Sequence, residues 1–381
     1  MPATPPDKTL RERSLRERWA AWRNRRIADP AFQRWAAAFP LTRGLAARKA
    51  ARLFDVTAGF VYSQALAAAV ELKLFDLLSA GARDLPDIAR AAGLSEPSAL
   101  TLMRAGAALD LFEEIAPKRF ALGEGGAALL GNPGVIAMIE HHAALYRDLA
   151  DPVRLLRERP KDTMLARYWR YPVADRRDAL SGDDVARYSA LMAASQSFIA
   201  ADILDAYRFG KHKRLLDIGG GAGAFLTATL QRHSQIEGVL FDLPAVGEIA
   251  REAFAKAGLS GRVRIASGDF YRDPLPGGCD AATLVRVIHD HDDDKALTIL
   301  KAAHAALRPS GTLILAEPMA DAIGARAMGN AYFGLYLLAM GSGRPRTANE
   351  LKALLNAAGF RAAQSRKTRR PLLVSVLVAR T

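Results

Sequence analysis

A chain of 381 residues, half of them apolar, is long enough for two domains with cores of their own. Its one cysteine, Cys279, excludes an intramolecular disulfide and a multi-cysteine zinc cluster and fits a reducing, cytoplasmic setting. The N-terminus lacks the apolar core of a signal peptide, no run is expected to approach the roughly 18 apolar residues of a spanning helix, and the net charge of +13 asks where the basic residues lie.

Most of the excess lies in an arm over residues 1–52, where thirteen basic residues face four acidic ones. Three of the four tryptophans, Trp19, Trp22 and Trp35, share it, and Leu15, Trp19 and Trp22 fall on one helical face. Such an arm suits peripheral contact with an anionic membrane on its cytoplasmic face. Packing on its own fold or on a dimer partner is the competing reading, and nucleic acid is the weakest.

Residues 53–195 read as a mainly helical domain. LFDVTAGFVYSQALAAAVELKLFDLL keeps apolar residues at three-to-four spacing and closes at Gly81. DLPDIARAAGLSEPSALTLMRAGAALDLFEEI predicts two short helices across a glycine turn with a third behind, and RFALGEGG follows as a wing: a winged helix. The would-be recognition helix, SEPSALTLMRAG, offers one arginine where a DNA reader needs several donors. Dimerisation is therefore favoured over a winged-helix regulator. Residues 135–180 are expected to be helical, with His141, His142, Tyr146, Tyr168, Trp169 and Tyr171 mostly in a core.

Within 196–381 the texture becomes α/β. RLLDI, GVLFDL, VRIASG, AATLVRVI and TLILAE read as strands alternating with helices near 222–232, 244–257 and 292–308, hence a Rossmann-like parallel sheet. A terminal strand in RRPLLVSVLVART, hairpinned with the segment after Phe360, would enter it antiparallel. LLDIGGGAGAF follows the first strand and opens a helix, so ligand can approach its backbone. Gly219, Gly221 and Ala224 also satisfy a dinucleotide fingerprint, with Asp242 placed to hold a ribose. Three features argue against nicotinamide: Asp217 would repel a pyrophosphate but suits an ammonium, the antiparallel last strand is wrong, and Asp269 beside Phe270 suits an adenine.

RVIHDHDDD, residues 286–294, admits a metal site, a helix start or one base. His289, Asp290 and His291 are adjacent and should diverge, which disfavours metal. Asp292, Asp293 or Asp294 would cap the next helix, and His289 lies at the end of the fourth strand, where open sheets place their chemistry.

This set resembles the class I S-adenosylmethionine methyltransferases. LLDIGGGAGAF, FDLP, GDF, RVIHD and LILAEP in this order, behind a winged helix, look like the O-methyltransferase family of the plant caffeate and hydroxyindole enzymes, over about residues 55–381. The resemblance implies S-adenosylmethionine as cofactor, a homodimer, His289 as general base and Glu317 as the carboxylate orienting it. It places the cofactor against Asp217, Gly219, Gly221, Asp242, Leu243, Asp269, Phe270 and Arg286. His291 stands where relatives commonly carry tryptophan. Pro345 stands where plant relatives have a further glutamate, so one carboxylate partner is expected for His289, not two. RNRRIADPAFQRWAAAFPLTRGLAARKA followed by LFDVTAGFVYSQAL is similar to the bacterial carotenoid O-methyltransferases, which implies a 1-hydroxycarotenoid such as demethylspheroidene as acceptor. AYFGLYLLAM, residues 331–340, would line an apolar pocket or pack as an ordinary helix. A phenol or polyketide O-methyltransferase shares every motif.

Overall fold

The computed structural model describes residues 14–169, 196, 198–324 and 327–381. Tyr171, the helical stretch expected beyond residue 169 and the first thirteen residues of the arm lie outside the described residues. Contacts group the chain into two compact units, Met1–Gly123 and Glu124–Thr381. The expected divisions at 52/53 and 195/196 do not coincide with these units: residue 53 lies inside a continuous helix, and residues 133–169 pack on side chains from the C-terminal part.

The first unit begins with α1 (Leu15–Ala28), opened by a capping box in which Ser14 and Glu17 satisfy each other's backbone amides. Asp29 caps α2 (Pro30–Ala38), and α3 runs over Arg43–Glu71. A left-handed Lys73, φ 54°, breaks the chain before α4 (Leu74–Ser79). Two helices, α5 (Leu85–Ala92) and α6 (Glu96–Ala108), cross the turn at Gly93. Strands β1 (Arg83–Asp84), β2 (Phe112–Ala116) and β3 (Arg119–Leu122) form the wing in the order β1-β3-β2. The third helix expected behind the pair is absent: FEEIA is strand, because Phe112 inserts against Phe75, ring centres 5.2 Å apart, and pairs with Leu122. Gly106 makes room for it, since a Cβ there would lie 2.4 Å from the Phe112 ring.

Helix α3 corrects a second expectation. It is 29 residues long with a mean hydropathy of 1.4 over an 18-residue window, long and apolar enough to span a membrane by length and composition. Leucine, valine, phenylalanine and alanine carry that hydropathy, interrupted by Asp55, Thr57, Ser63 and Gln64 so that no continuous run forms. Only Ala69 and Val70 of α3 are buried, and Leu53, Phe54, Val56, Phe60 and Val61 are exposed.

The second unit opens with α7 (Glu124–Leu130), α8 (Pro133–Asp148), α9 (Pro152–Glu158) and α10 (Met164–Tyr168). Residues 198–206 are helical. Then strands and helices alternate: β4 (Arg214–Ile218), α11 (Ala224–Arg232), β5 (Glu237–Asp242), α12 (Pro244–Lys256), β6 (Val263–Ser267), β7 (Cys279–Val285), α13 (Asp293–Ala306) and β8 (Leu307–Glu317). Helices α14 (Phe333–Met340) and α15 (Ala348–Ala357) precede β9 (Arg361–Arg366) and β10 (Ser375–Arg380). The sheet order is β6-β5-β4-β7-β8-β10-β9. β4 to β8 run parallel, and β10 enters antiparallel between β8 and β9, as the terminal hairpin predicts. All seven residues of β7 are buried, as expected of a central strand covered on both faces. The C-terminal ends of β4, β5 and β7 therefore open onto one edge, where such sheets bind ligands.

Candidate active site

At the end of β4 the chain turns through Gly219, Gly221 and Gly223, all left-handed with φ of 66°, 59° and 77°. That conformation favours glycine, and at Gly223 space does too, since a Cβ would lie 2.3 Å from the Phe254 ring. On Gly221 a Cβ would meet nothing within 4 Å, so the loop presents open backbone there. Asp217 is buried beneath the loop. Its Oδ1 accepts from the Thr283 hydroxyl at 2.7 Å, while its Oδ2 has no hydrogen-bond partner. Burial pushes its carboxyl up to about 7, against the pull of Thr283 and with a contribution from Asp242. A buried carboxylate with an unpaired oxygen calls for a cation or donor, which the amino group of S-adenosylmethionine would supply.

Asp242 ends β5, also buried. Its Oδ2 accepts from Gly221 N at 2.8 Å and its Oδ1 from Leu243 N at 2.7 Å, so the residue expected at the ribose also ties the glycine loop to β5. Asp269 follows β6 and orders its turn by accepting from Tyr271 N at 3.0 Å. The Phe270 ring packs edge-on against Tyr271 and His291, and a Cβ on Gly219 would stand 3.8 Å from it. His291 is thereby placed: its Nδ1 lies 2.7 Å from the Tyr271 hydroxyl, joining the aromatic wall. These residues fit the cofactor: an orphaned carboxylate, an open glycine cradle, a diol acceptor and an aromatic wall.

His289 lies one short turn beyond β7, in the 3-10 segment Ile288–Asp290, not on the strand itself. Its Nδ1 meets Glu317 Oε2 at 2.6 Å, and Glu317 Oε1 accepts from Val287 N at 3.0 Å and Ile288 N at 2.7 Å. Its Nε2 lies 3.1 Å from Asp290 Oδ1. The expectation of a single carboxylate partner is thus corrected: neighbouring side chains converge in the 3-10 turn, and Asp290 supplies the second carboxylate despite Pro345. Burial opposes a charge on His289, yet Asp290 and Glu317 outweigh it and hold the imidazole above its ordinary value. Among the described residues no group of His, Cys, Asp or Glu converges as a metal site.

Sequence reasoning missed the latch that fixes this turn. Arg346, 2% exposed, donates to the carbonyls of Ile288 at 2.8 Å and His291 at 2.6 Å and pairs with Asp293. Ser342 donates to the Asp290 carbonyl and Gly343 N to Asp292. Asp292 sits at the N-cap of α13 without capping it, and Asp293 is held by Arg344 and Arg346. The only signal was GSGRPR, two arginines awaiting the four aspartates of HDHDDD.

A cavity of about 390 Å³ opens beside His289. Arg286, His289 and Asp290 mark its polar end, and its walls are mostly apolar, Met138, Ile139, Leu337 and Met340 among them. Arg286, expected with the cofactor, borders this cavity from a left-handed backbone, φ 57°. Helix α14 lines it with Phe333, Tyr336, Leu337 and Met340, beside Tyr332. Tyr336 accepts from Trp169 Nε1 at 2.6 Å and lies 2.7 Å from His141 Nε2, whose pKa burial lowers to about 4. His142 lies 2.7 Å from the Tyr332 hydroxyl, so the aromatic cluster is cavity roof as well as core.

The family model for an O-methyltransferase domain matches residues 146–361, more than half of the chain, and the model for an O-methyltransferase dimerisation domain matches residues 54–132. The chain belongs to the S-adenosylmethionine-dependent O-methyltransferase family. The demethylspheroidene O-methyltransferase of Cereibacter sphaeroides is 39% identical over 348 residues, 91% of each chain. The enzyme of that name from Rhodobacter capsulatus is also 39% identical, covering 89% of this chain and 84% of its own. Among solved structures, human N-acetylserotonin methyltransferase in complex with its cofactor superposes with a TM-score of 0.72 at 26% identity, over 87% of this chain and 97% of that one. The chain is thus an O-methyltransferase using S-adenosylmethionine, and the dimerisation-domain match supports a homodimer acting on a small molecule.

Proposed function

We propose that this methyltransferase methylates the 1-hydroxyl of an acyclic hydroxycarotenoid such as demethylspheroidene. The observation that carries the reading is an apolar cavity with His289, Asp290 and Arg286 at its polar end, in a chain 39% identical to two demethylspheroidene O-methyltransferases. Asp217, Gly219, Gly221, Asp242, Leu243, Asp269 and Phe270 hold the cofactor, which supplies an electrophilic methyl group on its sulfonium. Arg286 borders the polar end of the cavity beside His289. Glu317 holds Nδ1–H of His289, so Nε2 is the nitrogen that takes the hydroxyl proton. Asp290 Oδ1, 3.1 Å from Nε2, then pairs with the imidazolium. A tertiary alcohol is a weak acid, so the proton leaves with or after methyl transfer, and holding the hydroxyl in place contributes more than deprotonating it.

The division into a basic arm at 1–52, a dimerisation domain at 53–195 and a methyltransferase domain at 196–381 belongs to the same proposal. So does a cytoplasmic enzyme whose arm touches an anionic membrane. Exposure of Trp19 at 57% and Trp22 at 54% supports the arm's part.

The cavity volume favours a second reading, a compact phenolic or polyketide acceptor, because about 390 Å³ suits a ligand of drug size. Competing a detergent-dissolved 1-hydroxycarotenoid against phenols for labelled methyl groups separates the two. Label in the carotenoid ether supports the first reading, and label confined to phenols overturns it.

A further inference from the structure

The cavity is too small for a whole carotenoid. A volume of about 390 Å³ matches a drug-sized molecule, whereas a tetraterpenoid chain is several times longer. With the hydroxyl end at His289, the remaining chain must leave through the mouth. The mouth is apolar: Val135, Leu372 and Leu373 line the cavity and are 46%, 41% and 41% exposed, whereas Leu337 and Met340 on the inner wall are 1% exposed. Ile323, 88% exposed, extends this surface, for a Cβ on the adjoining Gly324 would stand 3.6 Å from Leu372.

Leu372 and Leu373 sit in the loop joining β9 to β10, RKTRRPLL, residues 366–373. The chain from Arg361 to Thr381 holds six basic residues and no acidic one. The loop is ordered: Thr368 donates to the Val374 carbonyl at 2.6 Å and Leu373 N to the Arg370 carbonyl at 2.9 Å. Arg370 pegs it to the helical residues 198–206, pairing with the buried Asp202 at 3.0 Å, and its guanidinium lies 4.5 Å from the centre of the Phe198 ring. Arg366 and Lys367 remain exposed on the outer side. Two outward leucines flanked by basic residues are the pattern of a segment that dips its apolar side chains into an anionic bilayer.

We propose that the β9–β10 loop docks the cavity mouth on an anionic lipid surface, so that the acceptor enters hydroxyl first from the bilayer while its chain stays in lipid. This rests on the carotenoid reading for the substrate, but the docking itself is read separately. It is also distinct from the arm, which contributes none of these residues.

Because Cys279 is fully buried, a cysteine introduced in the full-length protein as Leu373→Cys can be labelled selectively with a polarity-sensitive fluorophore. Its emission should shift to the blue on vesicles of phosphatidylglycerol and phosphatidylcholine and not on phosphatidylcholine alone, while the same label at Glu252→Cys stays unshifted. An unshifted Leu373 label on the anionic vesicles overturns the proposal. Reversing two charges, Arg366→Glu with Lys367→Glu, should weaken vesicle binding by about 25-fold or more, at about fivefold for each basic residue near the surface. KM for vesicle-dissolved hydroxycarotenoid should rise with it, with turnover in detergent and the melting temperature unchanged. Equal vesicle affinity for the reversed and parent chains contradicts the docking. Absence of methylation in detergent by the parent chain contradicts the substrate reading instead, so the two failures are distinguishable.

Discussion

His289 sits between two carboxylates, and its chemistry depends on which nitrogen is free. Glu317 accepts from three donors and cannot turn away without orphaning two backbone amides, whereas Asp290 Oδ1 faces Nε2 at 3.1 Å. A base must be unprotonated, and the pKa of His289 is raised, so kcat/KM should climb with pH through a value above the ordinary 6.5 of histidine. Asp290→Asn removes one carboxylate and should move that limb to lower pH; an unmoved limb would show that Asp290 does not face Nε2 in solution. His289→Ala should cut turnover by about 10²–10⁴-fold with cofactor affinity nearly intact, the tertiary alcohol favouring the low end. Asp217 gives an independent readout. With its carboxyl near 7 in the free protein, binding an ammonium should lower that pKa and release a proton. Calorimetry near pH 6.5 in two buffers of different ionisation enthalpy should detect that release, and cofactor affinity should fall as pH drops below 7. Identical heats in both buffers would remove Asp217 from the amino group.

The elements matter through what they hold still. The glycine loop is tied to β5 by Asp242, so Asp242→Ala should weaken S-adenosylmethionine and S-adenosylhomocysteine together by about 1–3 kcal/mol, a charged hydrogen bond lost. Unchanged affinity for both would sink the ribose assignment. The 3-10 turn bearing His289 is fixed by Arg346, whose removal strands the carbonyls of Ile288 and His291, while Asp293 keeps Arg344. Arg346→Met should therefore destabilise the fold by roughly 2–6 kcal/mol, at about 1–3 for each buried carbonyl left unpaired, with Arg346→Lys recovering part of it in chemical denaturation. The strands and the glycine loop were legible because period, length and turn residues agree locally: RLLDI is β4 residue for residue. The Arg346 latch was not, since its partners lie more than fifty residues away and only the folded chain brings GSGRPR to the His turn. The convergence of His289 and Asp290 was hidden for a related reason. A strand would have sent them to opposite faces, and the tight turn does not.

Across the whole molecule, the sequence announced a winged helix in front of a methyltransferase sheet and a basic arm before both. It misjudged FEEIA, where a helical composition yields to the pairing of β2 with β3, and it overlooked the apolar character of α3 because Asp55, Ser63 and Gln64 interrupt its Leu, Val and Phe residues. The exposed face of α3, with Phe54 and Phe60 outward, lies in the segment that matches the dimerisation domain. If residues 1–40 serve lipid contact, deleting them should lower turnover on vesicle-dissolved substrate and spare it in detergent, with flotation on anionic vesicles weakening as salt rises. Equal losses in both assays with a lowered melting temperature would assign the arm to packing or to the dimer. The central claim is a methyl transfer to the hydroxyl of a carotenoid whose end lies beside His289. Its most direct test is to incubate the purified protein with methyl-labelled S-adenosylmethionine and detergent-dissolved 1-hydroxycarotenoid and to look for labelled methyl ether, with His289→Ala in parallel. The account predicts labelled carotenoid ether from the parent chain and at least about a hundredfold less from the variant. Unlabelled carotenoid from the parent chain, or a variant as fast as the parent, would contradict it.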